Sequence, residues 1–592
     1  MYETRILVGG LALFVAALAG VMCLGSTVRR ASRLKFSEPL IAEAVLGTVS
    51  LLLAAALMAC FGLYLWPVLV VLVLAPLVTL PATTKHWKEI LKNVLPFRVS
   101  PMAWATGLVI LIAVLQTAAP AVHFDLLVNY LGVARDELLQ GHLGALPYNI
   151  HSALSLPLHI LGAFVLALGE PLNLGPFSFG SAPLWSLLIA ASITASVLLI
   201  VRLVALCSSG KGKERAWTGW AAATLWLVTP QTLLLAQLQS AEFVITVIAL
   251  ALAVTALAAA RSEATGDLVI VGLLGGILVA CKPHSAVLVL VAWGIAGKGR
   301  PPRQIFAGLA AGMVLPLVTA IRSALVFGHP LFPWMGPADP AAAALMAENS
   351  VSLTINPIEI GHRLFRLATL QPESGVLFAV IILGLLGRRR FSTLWFLGGL
   401  QVLALVAATG NTVNTLRWAQ PVLPILIAAS LIGLNARFAD GLPQRVFRYG
   451  FLALLVCGLV LSLVFSQRTT GIAPQLGLTS QEYLSRRIPR FDARKSLALR
   501  DAPTLMLGEI IGAYTAPGCV IPGPQNGRWA REALQRPEDF ELLWIAPEGL
   551  EVLRRQPTWE WLDDGGMDDL QQRIQTARRI ERLPGAILIP LD

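Results

Sequence analysis

The chain has 592 residues, of which 56% are hydrophobic and only 13% are charged, and its mean hydropathy is +0.71. A soluble domain carries about 25% charged residues, so the composition excludes an ordinary soluble protein and indicates an integral membrane protein. The net charge of +11 does not indicate a nucleic-acid ligand. Its excess lies before residue 467, where 29 Lys and Arg stand against 17 Asp and Glu, and basic loops of this kind set membrane topology.

Apolar runs of roughly 20 residues predict membrane-spanning helices. Such runs lie near 6–24, 39–64, 66–82, 103–121, 181–206, 217–236, 240–260, 304–325, 392–409, 418–436 and 449–466. Three shorter runs lie near 268–281, 284–297 and 374–387, and the first two are separated at Lys282-Pro283. The sequence therefore predicts a polytopic α-helical membrane protein with about 14 transmembrane helices. The first run leads into a basic stretch, which is typical of a retained helix and not of a cleaved signal peptide.

Basic residues cluster in alternate loops, and the positive-inside rule assigns these loops to the cytoplasm. The clusters lie near 29–35, 85–98, 211–215, 298–303, 388–390 and 437–448. This topology predicts that both termini are extracytoplasmic. It also places three longer segments outside, at about 122–180, 326–373 and 467–592.

Two outer segments have recognisable patterns. In the first, 124–140 and 153–169 are moderately apolar and suit a position along the membrane interface. The tail has apolar runs at 504–508 and 586–590 with helical stretches between them, which predicts a small α/β domain. Cys519 is the sole cysteine of the tail, so a disulfide within it is excluded. No Cys or His spacing is typical of a metal site, and neither a metal nor a cofactor is predicted.

Asp125 follows the end of an apolar run, in the first outer segment. A carboxylate is costly to hold at a membrane face, and an enzyme that works there needs such a group as a general base. The alternative is an ordinary loop aspartate. The neighbouring Asp136 and Glu137 are expected to be solvated helix residues. The histidines of the outer segments, which lack paired metal spacing, are expected to have structural or interfacial roles.

Two cations stand beside prolines at the ends of predicted spans, in Cys281-Lys282-Pro283 and in Arg417-Trp-Ala-Gln-Pro421. A lysine at a helix break without an adjacent acid needs an anion or water, and a lipid-linked phosphate suits that depth. The alternative for Lys282 is that it snorkels to the headgroups. Glu242 opens a span near the same face. It either binds a substrate hydroxyl, pairs with Lys282 or Arg417, or satisfies the N–H groups of its own helix.

The stretch 124–152 resembles the first external loop of membrane glycosyltransferases of the C superfamily. It contains an aromatic-Asp pair at Phe124-Asp125, then Arg135, then Leu146-Pro-Tyr-Asn149. These enzymes depend on polyprenyl-phosphate sugars and are related to protein O-mannosyltransferases and aminoarabinose transferases. Further similar segments are Gly272 to Lys282, Phe327 to Pro333, Arg417 to Pro424, and Leu507-Gly-Glu509 followed by Tyr514. Three places depart from the pattern, at Tyr130, at Cys281-Lys-Pro283 and at Trp418.

The resemblance runs from about residue 103 to the end. It divides the chain into additional N-terminal helices (1–102), a glycosyltransferase transmembrane core (103–466) and an extracytoplasmic C-terminal domain (467–592). It also implies a multi-pass protein of the bacterial cytoplasmic (inner) membrane. The first three helices have no counterpart in that pattern, so it assigns them no role.

The implied reaction is transfer of a sugar from a polyprenyl-phosphate donor to a lipid, protein or glycan acceptor at the outer face, with inversion at the anomeric carbon. In it, Asp125 is the general base; Lys282, Arg417 and Arg135 hold the donor phosphate; and Glu242 and Tyr130 bind substrate. An O-antigen ligase or polymerase, centred on His362, Arg363 and Arg366, is one alternative. A polytopic transporter or flippase, which would show charges within spans and repeated halves, is another.

Overall fold

The computed structural model describes most of the chain. The described residues are 2–84, 87–88, 101–117, 125–170, 181–208, 212–333, 335, 339–348, 354, 356–369, 393–409, 412–437, 441–469, 490, 493, 502–509 and 519–591. The predicted span near 374–387, the basic cluster at 388–390, and His123, Phe124 and Tyr514 lie outside them.

The described residues up to 469 are mainly helical. Its α-helices, in order, are α1 Tyr2–Ser32, α2 Pro39–Cys60, α3 Trp66–Leu74, α4 Pro101–Thr117, α5 Leu131–Gln140, α6 Leu156–Gly169, α7 Ser181–Cys207, α8 Gly212–Leu227, α9 Pro230–Gln237, α10 Glu242–Ala259, α11 Asp267–Cys281, α12 Ala286–Gly297, α13 Pro302–Phe327, α14 Pro340–Glu348, α15 Pro357–Thr369, α16 Thr393–Ala408, α17 Thr412–Ala419, α18 Leu423–Arg437 and α19 Gly441–Thr469. A π-helix precedes α5 at Asp125–Tyr130.

Among the described residues, six helical stretches are long and apolar enough to cross a membrane. They are Val8–Ser32, Pro39–Cys60, Trp66–Thr84, Leu184–Cys207, Glu242–Ala259 and Pro302–Phe327, and several shorter apolar helices accompany them. The protein is therefore a multi-pass, mainly helical membrane protein. The predicted count of about 14 spans stays a prediction.

Prolines explain where the helices differ from the predicted runs. The predicted break at Lys282-Pro283 is present, because α11 ends at Cys281 and α12 begins at Ala286. The run near 217–236 is interrupted as well, between α8 and α9, with Pro230 opening the second helix. The run near 418–436 is divided between α17 and α18. The residue before a proline is disfavoured in helical conformation, and at these places a proline lies at or near the interruption. A proline does not always divide a run, because α13 continues through Pro316.

The three N-terminal helices pack on the rest of the protein at both of their ends. At one end, Arg202 Nη2 lies 2.6 Å from Glu38 Oε1, and Ser37 N donates to Asp267 Oδ1 at 2.8 Å. At the other, the backbone N–H of the buried Tyr64 donates to Gly141 O at 3.1 Å. These helices therefore belong to the same packed core as the residues after 103.

The described part of the first outer segment is largely buried among neighbouring helices, and its expected position along the membrane interface stays a prediction. All but one residue of α6 are buried, and the helix packs against α3, α5 and α7. Glu137 of α5 is 0% exposed, so its expected place on a solvated helix face is wrong. The apolar character of both stretches serves packing against neighbouring helices, which periodicity alone does not distinguish from interfacial binding.

The C-terminal segment contains a five-stranded sheet. The strands β1 Thr504–Leu507, β2 Cys519–Val520, β3 Leu542–Ile545, β4 Glu581–Leu583 and β5 Ala586–Pro590 lie in the order β2-β1-β3-β5-β4. The first three are parallel, and β5 is antiparallel to both β3 and β4. Three α-helices, α20 Gly527–Leu534, α21 Pro547–Leu553 and α22 Gly566–Thr576, accompany it. Two apolar cores lie within this region, on side chains such as Leu505, Trp559 and Trp544.

Candidate active site

Four charged side chains from distant parts of the chain form one cluster. Arg417 Nη2 is ion-paired with Asp125 Oδ2, and Arg417 Nε lies 3.6 Å from Glu242 Oε1. The same Glu242 oxygen accepts a hydrogen bond from Lys282 Nζ at 2.9 Å. Glu242 is almost fully buried, with 2% of its side chain exposed, whereas Asp125 and Arg417 are 20% and 24% exposed. One end of the cluster is therefore open and the other is anchored.

Each charge lies at the helix end that favours it. Asp125 is the first residue of the π-helix, and Glu242 is the first residue of α10. Lys282 follows the last residue of α11, and Arg417 lies in the last turn of α17. Because a helix dipole is positive at the N-terminus and negative at the C-terminus, the backbone stabilises both carboxylates and both cations.

A strained turn places Glu242. Gln239 has φ +51°, a left-handed conformation that is uncommon for a residue other than glycine. The turn is fixed from two sides, because Trp185 Nε1 donates to Gln239 O at 3.0 Å and Gln239 Nε2 donates to Thr117 O at 3.1 Å. Backbone strain of this kind persists only where surrounding contacts hold the residue in place. Here the strained turn positions the Glu242 carboxylate in the cluster.

The helix break places Lys282. Ser155 Oγ donates to Cys281 O at 2.8 Å, which satisfies a carbonyl that α11 leaves without a helical partner. Gln401 of α16 spans the break, because its amide Nε2 donates to His284 O at 2.7 Å and its Oε1 accepts from Leu288 N at 2.9 Å. Ser155, just before α6, and Gln401 of α16 thus fix the backbone on the two sides of Lys282.

The segment of Arg417 is joined to the same break. The Trp418 ring stacks on the His284 ring, with centroids 5.0 Å apart and planes at 20°. Gln420, which follows α17, donates from Nε2 to Thr232 Oγ1 at 2.8 Å. The tryptophan that departs from the family pattern therefore holds Arg417 beside Lys282.

Tyr130 closes the π-helix next to the cluster. It is buried, and burial raises the pKa of its phenol while Lys282 and Arg417 oppose that shift. A phenol that stays protonated is a hydrogen-bond donor at neutral pH. The structure thus brings together Asp125, Tyr130, Glu242, Lys282 and Arg417, and for Glu242 it shows the pairing with both cations.

Arg135, which the resemblance assigns to the donor phosphate, lies elsewhere. Its Nε is 3.7 Å from Asp136 Oδ1, and both side chains line a small cavity between α5 and the C-terminal region. Tyr148 OH donates to Asp136 Oδ2 at 3.1 Å in the same place, and burial raises the pKa of Asp136. The phosphate role of Arg135 stays a prediction that this geometry does not support.

A second buried ion pair was not expected from the sequence. Arg322 Nη2 donates to Glu137 Oε1 at 2.8 Å, and the same guanidinium donates to Leu143 O, Gly144 O and Ser152 O. The sequence gives no signal of this pairing, because Glu137 resembles any exposed acid on a helix. The pair fixes the loop that follows α5.

His151 lies in the same loop and is 5% exposed. Burial lowers its pKa from 6.5 to about 4, against the opposing field of Asp125. A depressed pKa means that the unfolded chain takes up the proton first, so stability is complete above about pH 6.5 and falls as the pH approaches 4. The shift corresponds to about 3 kcal/mol.

We expect His151→Gln to lose less stability than the unaltered protein when the pH falls, because glutamine takes up no proton. Melting temperatures of the two proteins at pH 7.5 and 4.5 test this prediction. An equal drop in melting temperature in both proteins contradicts it.

Among the described residues, His, Cys, Asp and Glu form no group of three that would hold a metal ion. Within the cluster the cations are Lys282 and Arg417. They offer up to eight N–H donors in all, which suits a phosphate with several acceptor oxygens.

Comparison with known proteins gives limited likeness. No family model and no curated protein matches the sequence. Two solved structures of the arabinofuranosyltransferase AftD from mycobacteria, one of them of a mutant, resemble the chain at 14% and 15% identity, with TM-scores of 0.40 and 0.44. Each covers 76% of this chain, and the chain spans 35% and 37% of the AftD chains. A likeness of this degree assigns neither a family nor an activity.

Proposed function

We propose that the protein is a membrane glycosyltransferase of the C superfamily. It transfers a sugar from a polyprenyl-phosphate donor to an acceptor at the outer face of a bacterial cytoplasmic membrane, with both termini on that face. The observation that carries the proposal is the convergence of Asp125, Glu242, Lys282 and Arg417 in one partly open cluster. Charges at membrane-helix ends are costly, so their convergence from four separate elements indicates a functional site.

The charges of the cluster match the charge changes of this reaction. Asp125 takes the proton of the acceptor hydroxyl, whose oxygen attacks the anomeric carbon from the side opposite the phosphate and inverts its configuration. The bond from that carbon to the phosphate oxygen breaks, and the oxygen keeps the electron pair. Asp125 thus loses one negative charge as the leaving phosphate gains one. Arg417 then exchanges its ion pair with the Asp125 carboxylate for an ion pair with the phosphate. A cation aimed at charge that develops in the transition state lowers the barrier.

Glu242 acts in this scheme as a positioning residue for both cations. It touches Lys282 and Arg417 and has almost no exposed surface with which to meet a sugar. Tyr130, beside the cluster, donates from its phenol to the sugar or to the phosphate. The acceptor is a glycan, lipid or protein that carries a hydroxyl group.

The ligase alternative has less support from the described geometry. Arg363 of α15 is paired with Glu359 of its own helix and donates to Val406 O at 3.2 Å; 14% of the Arg363 side chain and 47% of the Glu359 side chain are exposed. A partly exposed i,i+4 pair within one helix is common and contributes little. For transport, no particular observation speaks in its favour.

Co-purified lipid tests the proposal. Lipids extracted from the purified protein are expected to include a polyprenyl-phosphate sugar, detected by mass spectrometry. Lys282→Met is expected to reduce that lipid by at least tenfold, because the substitution removes a cation from a site with two. Arg363→Ala is the control and is expected to retain it. If Arg363→Ala loses the lipid and Lys282→Met keeps it, the O-antigen ligase alternative replaces the proposed glycosyltransferase.

A further inference from the structure

Asn526 directly precedes helix α20 but does not cap it. Asparagine is among the preferred N-cap residues, because its side-chain oxygen accepts from the first free N–H groups of the helix. Here the side chain makes no such bond. Both ends of its amide instead reach the first outer segment: Nδ2 donates to Pro147 O at 2.8 Å, and Oδ1 accepts from Ile150 N at 3.2 Å. A local preference is given up for a contact with a distant segment, which is a mark of functional sites.

Two further contacts fix the same stretch of the first outer segment. The backbone N–H of Gly523 donates to Tyr148 O at 2.7 Å, and the Tyr148 ring packs against Trp529 with centroids 5.5 Å apart. A side chain at Gly523 would begin 3.1 Å from Asn526 Oδ1, which is a tight approach. The C-terminal region thus holds the stretch from Pro147 to Ile150 by backbone as well as side-chain bonds.

Asn149 connects the Pro147–Ile150 stretch to the π-helix that begins with Asp125. Its Nδ2 donates to Val128 O at 3.2 Å, and its Oδ1 accepts from His151 N at 3.1 Å. Val128 lies in the middle of the π-helix that begins with Asp125 and ends with Tyr130. π-Helical turns are uncommon and occur often at functional sites, where the surrounding bonds must maintain them.

We propose that Asn526 is a positioning residue for the general base. The chain of bonds from Asn526 through the Pro147–Ile150 stretch and Asn149 to Val128 holds the π-helix so that Asp125 meets Arg417. The C-terminal domain is then part of the catalytic apparatus without touching the reacting atoms. This inference rests on the proposed function for its catalytic part, whereas its structural part does not depend on it.

Two substitutions test the chain of bonds at its two ends. Asn526→Ala removes the two side-chain docking bonds, and the apolar cores of the C-terminal domain contain no residue of the first outer segment, so the domain is expected to stay folded. Asn149→Asp keeps the oxygen that accepts from His151 but loses the donor to Val128. Arg528→Ala is the matched control, since Arg528 lies in α20, is 73% exposed and pairs with Glu532 of the same helix.

We expect both test variants to lower kcat for sugar transfer by on the order of ten- to a hundredfold, since a misplacement of about 1 Å costs that much. The KM for the lipid donor is expected to change less than threefold. Hydrogen–deuterium exchange in the full-length protein is expected to rise over residues 125–131 in both variants. In Asn149→Asp the strands of the C-terminal domain keep their protection, and Arg528→Ala behaves as the unaltered protein.

Unchanged exchange over 125–131 in Asn149→Asp overturns the inference, whatever happens to activity. If Asn526→Ala also unfolds the C-terminal domain, seen as lost protection in β1 and β3, the Asn149→Asp result decides alone. Failure of the proposed function looks different: the unaltered protein then shows no sugar transfer, while the exchange results stand.

Discussion

Asparagine in place of Asp125 is expected to lower sugar transfer by about 10³-fold or more and, in the same protein, to tighten the binding of free polyprenyl phosphate. The first effect follows because an amide cannot take up the acceptor proton, and a positioned base contributes about 10²–10⁴-fold. The second follows because Arg417 loses the carboxylate paired with its Nη2 and keeps only the longer contact with Glu242, so that Nη2 is left to the phosphate. On the order of tenfold is expected, since a partly exposed charge pair contributes between about 1 and 4 kcal/mol.

The two effects are measured separately, by transfer of labelled sugar in proteoliposomes and by equilibrium binding of a short-chain polyprenyl phosphate. Glu170→Gln is the matched control, because Glu170 is an exposed carboxylate of the same outer segment, directly after α6. Loss of transfer together with weaker phosphate binding would mean that Asp125 supports the fold of the site and is not its base. Retained transfer would end the proposal of a transferase centred on Asp125.

Arg417→Met and Glu242→Gln are expected to shift phosphate binding in opposite directions. The cluster holds two cations and two carboxylates, so loss of Arg417 leaves it with a net negative charge and loss of the Glu242 charge leaves it positive. Arg417→Met is expected to weaken polyprenyl phosphate binding and to lower kcat/KM by roughly 10³-fold, the upper end for one donor to a developing charge.

Glu242→Gln is expected to bind the phosphate at least as tightly as the unaltered protein, yet to turn over more slowly. Glutamine keeps an oxygen that accepts from Lys282 Nζ, but it no longer fixes both cations by charge. Binding titrations and initial rates of the two variants at one ionic strength check the prediction, since salt screens the partly exposed members. Weaker binding in both variants would show that the cluster is a structural ion-pair network.

The sequence was informative where burial of charge is costly. Lys282 and Arg417 stood out because cations beside prolines at span ends are rare, and the structure places them together with Asp125 and Glu242. Arg135, which the resemblance assigned to the donor phosphate, lies beside Asp136 instead. Arg417 and Arg135 differ in the helix face on which each lies and in the segment packed against it, and local sequence spacing predicts neither.

Helix positions followed from hydrophobic runs, since apolar length is a local property. The interruptions before Pro230 and after Ala419 were missed, because the apolar runs continue through them. The buried position of α6 was missed for a related reason: an apolar sequence has the same pattern whether the helix is surrounded by lipid or by protein. The role of Asn526 had no local signal at all, since an asparagine before a helix is the ordinary cap.

The guanidinium of Arg322 links a membrane-spanning helix to the first outer segment. It lies near the end of α13, a 26-residue helix with few buried residues, and it holds the loop after α5 through Glu137 and three carbonyl oxygens. A helix whose apolar length differs from the local hydrocarbon thickness changes its tilt. Under the proposed function, a change of this tilt reaches the segment that bears Asp125 through the loop, and we expect the rate of sugar transfer in proteoliposomes to vary with lipid chain length.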